Sequence, residues 1–358
     1  DPTALRILGF APTAAAVTAL AVGPLGDPHG VTAYASMGTE GLAVVDVRLP
    51  HEAHVTGTLP AGEGYTISDV VVGWGAVYLA FGWVGEVGVG KFEAYEEVGA
   101  SIDVTATPFS KTGPQLVPSG GITVRLAHRD DRLYVMHALP VPSGARIEVY
   151  ETESSPANPV YEGVWIDTVG TREFTDIAVV PGESGGVAAA LPTLILTDVG
   201  GPPEVITTLE ANADWTDNAI ADGHVNTIGF ASRIEAVGLT AADTRLFVTD
   251  GQNLTIHDAE VITGDWAVAE PPLQATTIAM SACHDVAVMG TVALSATGAS
   301  GVEVLRVGDP SRTFVSASGP APAGATLQGL VTAHDKLFMS GPDLWRQSWS
   351  GLSTGAPA

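Results

Sequence analysis

A short apolar strand ending in an acidic or polar residue recurs seven times along this chain. It reads Leu42-Ala43-Val44-Val45-Asp46, then Phe92-Glu93-Ala94-Tyr95-Glu96, then Ile147-Glu148-Val149-Tyr150-Glu151. Leu194-Ile195-Leu196-Thr197-Asp198 and Leu254-Thr255-Ile256-His257-Asp258 follow. The last two copies are Val302-Glu303-Val304-Leu305 and Leu344-Trp345-Arg346-Gln347. Their centres fall near 45, 94, 149, 196, 256, 304 and 346, so the spacings are 49, 55, 47, 60, 48 and 42 residues. Helical periodicity is nearly absent between them, and short β-rich runs are separated by Gly, Pro, Asp and Ser clusters. Each unit predicts four strands: a first opened by a polar residue, a second, a Gly-rich loop, the acidic-ended third, and a fourth. Units of that kind repeating every ~40–50 residues build a propeller. The expected fold is all-β, a seven-bladed β-propeller of four-stranded blades.

The two ends support a single domain over 1–358. Residues 4–11 contain Leu5-Arg6-Ile7-Leu8-Gly9-Phe10, which parallels the fourth strands at Val55–Leu59 and Val160–Val164. The last unit, 325–351, shows only three strands. An N-terminal strand pairing there closes the ring and removes two exposed edges.

Composition narrows the function classes. With 40 acidic and 15 basic residues the formal charge is -25, a field that repels nucleic acid and anionic lipid. Hydrophobic residues at 46% rule against disorder. No run reaches the length of a membrane span. Cys283 is the one cysteine, so no internal disulfide forms, and its neighbours Ala282 and His284 suit a small buried position better than a nucleophile. The chain opens at Asp1 without a methionine, which fits removal of a leader or anchor.

The first unit, Gly41-Leu42-Ala43-Val44-Val45-Asp46-Val47 followed by Leu49-Pro50 and Gly57, resembles the LVIVD-repeat family of bacterial and archaeal propellers. Tyr-bearing second strands at Ala33-Tyr34-Ala35 and Val77-Tyr78-Leu79, and the Pro-turn Pro156-Ala157-Asn158-Pro159, extend the likeness over about half the chain. The resemblance implies an exported, often surface-attached protein with no catalytic residues in the repeat signature.

Several motifs invite chemistry. Gly85-Glu86-Val87-Gly88-Val89-Gly90-Lys91 has P-loop spacing, but Phe92 stands where Mg²⁺ needs Ser or Thr, and a strand follows where a helix should cradle phosphate. His128, His284 and His334 each sit beside a turn that we assign between first and second strands, where Asp neighbours suit turn chemistry better than zinc ligation. The polar residues that open the first strands are Thr18, Asp69, Thr123, Asp176, Glu235, Thr277 and Gln328. They form a ring at one channel mouth. Asp69, Asp176 and Glu235 are its carboxylates, and a hard cation such as Ca²⁺ takes oxygen ligands of that kind. The competing reading has them satisfying backbone donors and channel water. A second acidic segment, Asn212–Asn218, is placed on the same side. Trp83 and Trp215 fall in loops of that face and are candidate partner-binding residues.

No Gly-x-Ser-x-Gly or His-Glu-x-x-His motif occurs. The expected function is a non-enzymatic, extracytoplasmic or cell-surface scaffold that binds a protein or cell-surface partner through one loop-rich face and needs no cofactor. The alternatives are a metal-assisted hydrolase or lactonase-like propeller using the channel carboxylates, and a subunit of a larger surface assembly.

Overall fold

The strands form because apolar runs of five to eight residues alternate their side chains between two faces, and both faces find cover. The computed structural model describes residues 6–23, 32–84, 90–98, 101–112, 123–129, 131–138, 145–166, 174–180, 193–198, 205–210, 220–226, 233–238, 244–249, 251–258, 276–289, 291–307, 314–319, 321, 326–333, 336–341 and 344–348. The first strand is β1 (Arg6–Ala11). The first sheet holds β2 (Ala19–Gly23), β3 (Thr32–Ser36), β4 (Leu42–Asp46) and β5 (His54–Leu59). The second holds β6 (Tyr65–Gly73), β7 (Ala76–Trp83), β8 (Lys91–Val98) and β10 (Phe109–Thr112), with β9 (Ser101–Ile102) on the end of β8. The third runs β11 (Thr123–Arg129), β12 (Arg132–Ala138), β13 (Ala145–Glu151) and β14 (Val160–Ile166). The fourth runs β15 (Phe174–Val180), β16 (Thr193–Asp198), β17 (Val205–Glu210) and β18 (Ile220–Asn226). The fifth runs β19 (Arg233–Val237), β20 (Arg245–Thr249), β21 (Gly251–Asp258) and β22 (Thr276–Cys283). The sixth runs β23 (Asp285–Met289), β24 (Val292–Ala296), β25 (Val302–Arg306) and β26 (Phe314–Gly319). The seventh runs β27 (Gly329–Ala333), β28 (Lys336–Ser340) and β29 (Leu344–Ser348), with β1 antiparallel to β29.

This is an all-β propeller. Each sheet is an antiparallel meander, and its first strand packs on the first strands of its neighbours. The order is β2, β6, β11, β15, β19, β23, β27, and β27 in turn touches β2. The core lies between sheets. In β4, Leu42 and Val44 join the cluster shared with the second sheet, while Ala43 and Val45 join Phe338, Leu344 and Ala11 of the seventh. A strand apolar on both faces therefore reads as a continuous Leu-Ala-Val-Val run.

Six of the seven expected third strands hold that place. The exception is Leu194–Asp198. It lies in β16, the second strand of its sheet, and β17 is the third. The run has the same apolar-to-Asp profile, so the pattern could not separate the two. Thr277 is displaced in the same way: it lies in β22, a fourth strand, and the sixth sheet opens at Asp285. His284 therefore precedes a first strand, whereas His128 lies near the β11–β12 turn; His334 is outside the described residues. Lys91 opens strand β8, as the P-loop argument required.

The loop after the second strand explains a glycine repeat. Gly38-Thr39-Glu40-Gly41 and Gly298-Ala299-Ser300-Gly301 adopt the same turn, with φ of 61° and 102° at both glycine pairs. Any Cβ at Gly41 would stand 2.0 Å from the Leu59 carbonyl oxygen, so no other residue fits there. The first glycine of each turn then accepts an amide from the next sheet, Ile67 N–H to Gly38 at 3.0 Å and Leu327 N–H to Gly298 at 3.1 Å.

Deleting residues 1–11 strips β29 of its partner and removes buried Ala11 from the junction of sheets seven and one. We expect the melting temperature to fall by about 5 °C or more and light scattering to report self-association through the freed edge. An unchanged melting temperature would count against the pairing.

Candidate channel site

The first strands carry a charged circuit. Two of them are bulged: the β6–β7 register shifts between Ile67 and Asp69, and the β15–β16 register between Phe174 and Asp176. A bulge leaves its extra residue out of the ladder. Here the extra residues, Ser68 and Thr175, turn their carbonyls to Arg125 of β11. The Arg125 Nε–H donates to Thr175 O at 3.1 Å and an Nη1–H donates to Ser68 O. One guanidinium thus ties the second, third and fourth sheets together.

The aspartates that follow the bulges reach in the opposite sense. Asp69 Oδ2 accepts the amide of Leu126 at 3.0 Å, and Asp176 Oδ2 that of Ile234 at 3.0 Å. In the sixth sheet Asp285 Oδ2 accepts the amide of Leu330 at 2.8 Å. Asp69 and Asp285 also accept the next amide of their own strands at 2.9 Å. The same contact recurs at sheets two to three, four to five and six to seven. Arg233 of β19 adds a second, partly buried cation, 3.9 Å from Asp176 Oδ1.

Burial sets the protonation balance. It pushes Asp176 up, against the pull of Arg233 and Arg125. It raises Asp285 to about 6, opposed by Arg233 and its two amide donors. Glu235, two residues beyond Arg233, is raised to about 8 by burial and then by the negative charge of Asp285; the Val288 amide it accepts pulls the other way. Its Oε2 is buried without a hydrogen-bond partner. Glu235 therefore holds a proton at neutral pH. Burial weakens the proton hold of Arg125, while Asp176 and Asp285 strengthen that of Arg233.

Asp69, Asp176 and Glu235, the expected cation ligands, thus have other work. Asp69 and Asp176 each hold a neighbouring sheet's amide, Glu235 keeps one oxygen without a partner, and Arg233 and Arg125 act on Asp176. Among the described residues no three His, Cys, Asp or Glu side chains are grouped to hold a metal ion. Gln328 is exposed and lies just before β27. Arg125, Arg233 and Asp285 are the residues that a search for acidic ligands missed. The signal was present as Ser68-Asp69, Thr175-Asp176 and His284-Asp285 on alternate first strands, with Arg125-Leu126 and Arg233-Ile234 between them.

Trp83 is half-buried rather than free. Its ring meets Tyr65 edge-on at 4.9 Å and covers Gly64. Trp215 and the whole of 212–218 lie outside the described residues. Cys283 is buried, its sulfur 3.0 Å from Ser295 Oγ.

Two outcomes test the circuit. Asp176→Ala leaves the Ile234 amide without its acceptor and takes a counter-charge from Arg233, and urea unfolding should show a loss of about 1–3 kcal/mol. Asp176→Asn keeps an acceptor and should lose less. Equal, negligible losses would remove the brace. The second concerns pH. A carboxyl whose folded pKa is raised stabilises the fold fully below its unfolded pKa, and that stability is lost as pH rises through the folded value. Asp285 and Glu97, raised to about 6 and about 7, act in this sense at lower pH. His137 and His257, held near 4 by burial, act oppositely and only below their ordinary range. Between pH 7 and about 8 Glu235 dominates, so stability should fall by about 1 kcal/mol. Glu235→Gln should flatten that fall in thermal melts.

No family model matches the sequence, and no curated protein does. Solved structures do. A chain from the crystal structure of the mitotic checkpoint complex aligns at 10% identity and a TM-score of 0.61, over 97% of this chain and 92% of that one. Sqt1 of Saccharomyces cerevisiae aligns at 10% identity and 0.54, over 96% and 86%. The computationally designed protein Ika8 aligns at 10% identity and 0.52, over 96% and 99%. At such identity the likeness concerns the fold alone, and what it supports is a β-propeller.

Proposed function

We propose that this chain is a non-enzymatic protein-binding scaffold, a closed seven-bladed propeller working outside the cytoplasm. The seven sheets, the β1–β29 pairing and the contact of β27 with β2 support the closed ring. The LVIVD-like first unit supports the location. The observation that carries the binding reading is the division of labour among polar groups. The channel carboxylates, which a hydrolase would need free, are engaged in holding sheets together. Large apolar side chains stand exposed at the sheet ends and outer strands instead, Trp74, Val98, Val160 and Tyr161 among them. Side chains of that kind are the usual anchors of a protein interface.

Among the described residues no helix is long and apolar enough to cross a membrane. An acidic surface of this charge favours a partner with a basic face. Cross-linking on intact source cells, followed by purification of the tagged chain, should recover one protein in constant ratio. Recovery of the bare chain alone, from both envelope and soluble fractions, would defeat the binding reading.

A further inference from the structure

Trp74 is 64% exposed, although tryptophan is among the most buried residues on average. It occupies the two-residue turn between β6 and β7, in the sequence Gly73-Trp74-Gly75. The turn is firmly seated. Gly75 has φ of +78°, which glycine adopts without cost. A Cβ on Gly73 would meet the Tyr78 ring at 2.7 Å and the His128 ring at 3.0 Å. Those two rings stack with centroids 5.5 Å apart, and the Tyr78 hydroxyl donates to Pro156 O at 3.0 Å. The turn therefore rests on the third sheet, while its indole stays in solvent.

The surroundings are apolar on one side and acidic on the others. Ala76 pairs with Glu96, and the Glu97 amide donates to Gly75 O at 3.0 Å, so Val98, 65% exposed, runs alongside Trp74. Glu96 is exposed on the same strand end. On the third sheet, Glu151 and exposed Glu153 belong to the segment that leads to Pro156, which lies 3.9 Å from where a Gly75 Cβ would stand. On the third sheet, Arg132 is committed to Asp131 and Glu162, and Arg129 to Gly238 O.

We propose that this corner between the second and third sheets, centred on Trp74 with Glu96 and Glu153 at its rim, docks an arginine-bearing segment of a protein partner. A guanidinium stacks on an indole face and pairs with carboxylates, and a seated turn presents the ring at little cost in ordering. The net charge of -25 draws such a segment in. This rests on the protein-binding reading above and adds to it the place and the chemistry.

The test uses a fluorescein-labelled peptide of alternating glycine and arginine, and the same peptide with citrulline for arginine, titrated by anisotropy against the full chain. The arginine peptide should bind about tenfold or more tightly than the citrulline one. Trp74→Ala, which leaves the net charge unchanged, should weaken it by about tenfold or more with an unaltered melting temperature. Glu96→Gln with Glu153→Gln should weaken it and flatten its dependence on salt between about 50 and about 200 mM. Equal affinity of wild type and Trp74→Ala would mean general attraction to an acidic surface and would overturn the site, as would failure of the arginine peptide to bind. The cellular cross-linking separates the two levels. A partner kept by the Trp74→Ala chain sinks this corner and leaves the scaffold reading intact, whereas no partner for the wild type sinks the scaffold reading itself.

Discussion

A four-stranded sheet with apolar side chains on both faces has no stable existence alone, so everything in this molecule turns on how one sheet is fixed to the next. Apolar packing supplies most of the energy, yet it is poorly directional and does not set the angle between neighbours. The inner-strand carboxylate that takes an amide from the adjoining sheet does. Asp69, Asp176 and Asp285 make the same bond to Leu126, Ile234 and Leu330, and a hydrogen bond to a charged acceptor is both short and angle-dependent. Because the contact sits on the innermost strands, a small error there would be magnified at the rim. The two bulges belong to the same device. They turn Ser68 and Thr175 carbonyls out of their ladders and onto Arg125, which sets a cation among these acids.

That balance changes what the channel can do. Three aspartates on separate sheets suggest a ligand set only while their counter-charges are ignored. With Arg125 and Arg233 between them, the circuit satisfies itself, and an incoming cation would have to displace two guanidinium groups. Glu235 lies in the same field: burial, and then the charge of Asp285, push it toward the protonated form. A channel organised in this way serves as a framework, and the scaffold reading we propose assigns binding to side chains outside it.

Much of this was legible in the residues, and the failures have physical causes. Third strands such as Leu42–Asp46 and Ile147–Glu151 stand out because both faces are buried and the last residue leaves the core. Leu194–Asp198 has that same profile as a second strand, since burial on two faces does not depend on strand order. Asp285 was hidden because His-Asp suits a turn as well as a strand entry, and local chemistry cannot tell which lies ahead. Arg125 and Arg233 escaped because a bulge is a property of pairing between strands, invisible in either strand alone. Trp74 was overlooked for a different reason: flanking glycines mark a turn, but only the packing of Tyr78 and His128 beneath it shows that the indole has nowhere inside to go.

The alternation of acids and their donors also carries a constraint of its own. Carboxylates occupy the second, fourth and sixth sheets, and the donors occupy the third, fifth and seventh. The first sheet contributes neither partner to these three contacts. At the junction of the seventh sheet with the first, Gly329 and Ala19 open the inner strands in place of charged residues. There the chain uses other means: the pairing of β1 with β29, the Val17 amide on Gly341 O at 2.7 Å, and an alanine-rich contact that admits Phe338 and Leu344 against Ala33, Ala35 and Ala43. The row of backbone hydrogen bonds from β1 to β29 completes the seventh sheet, and buried Ala11 at the end of β1 packs into its junction with the first.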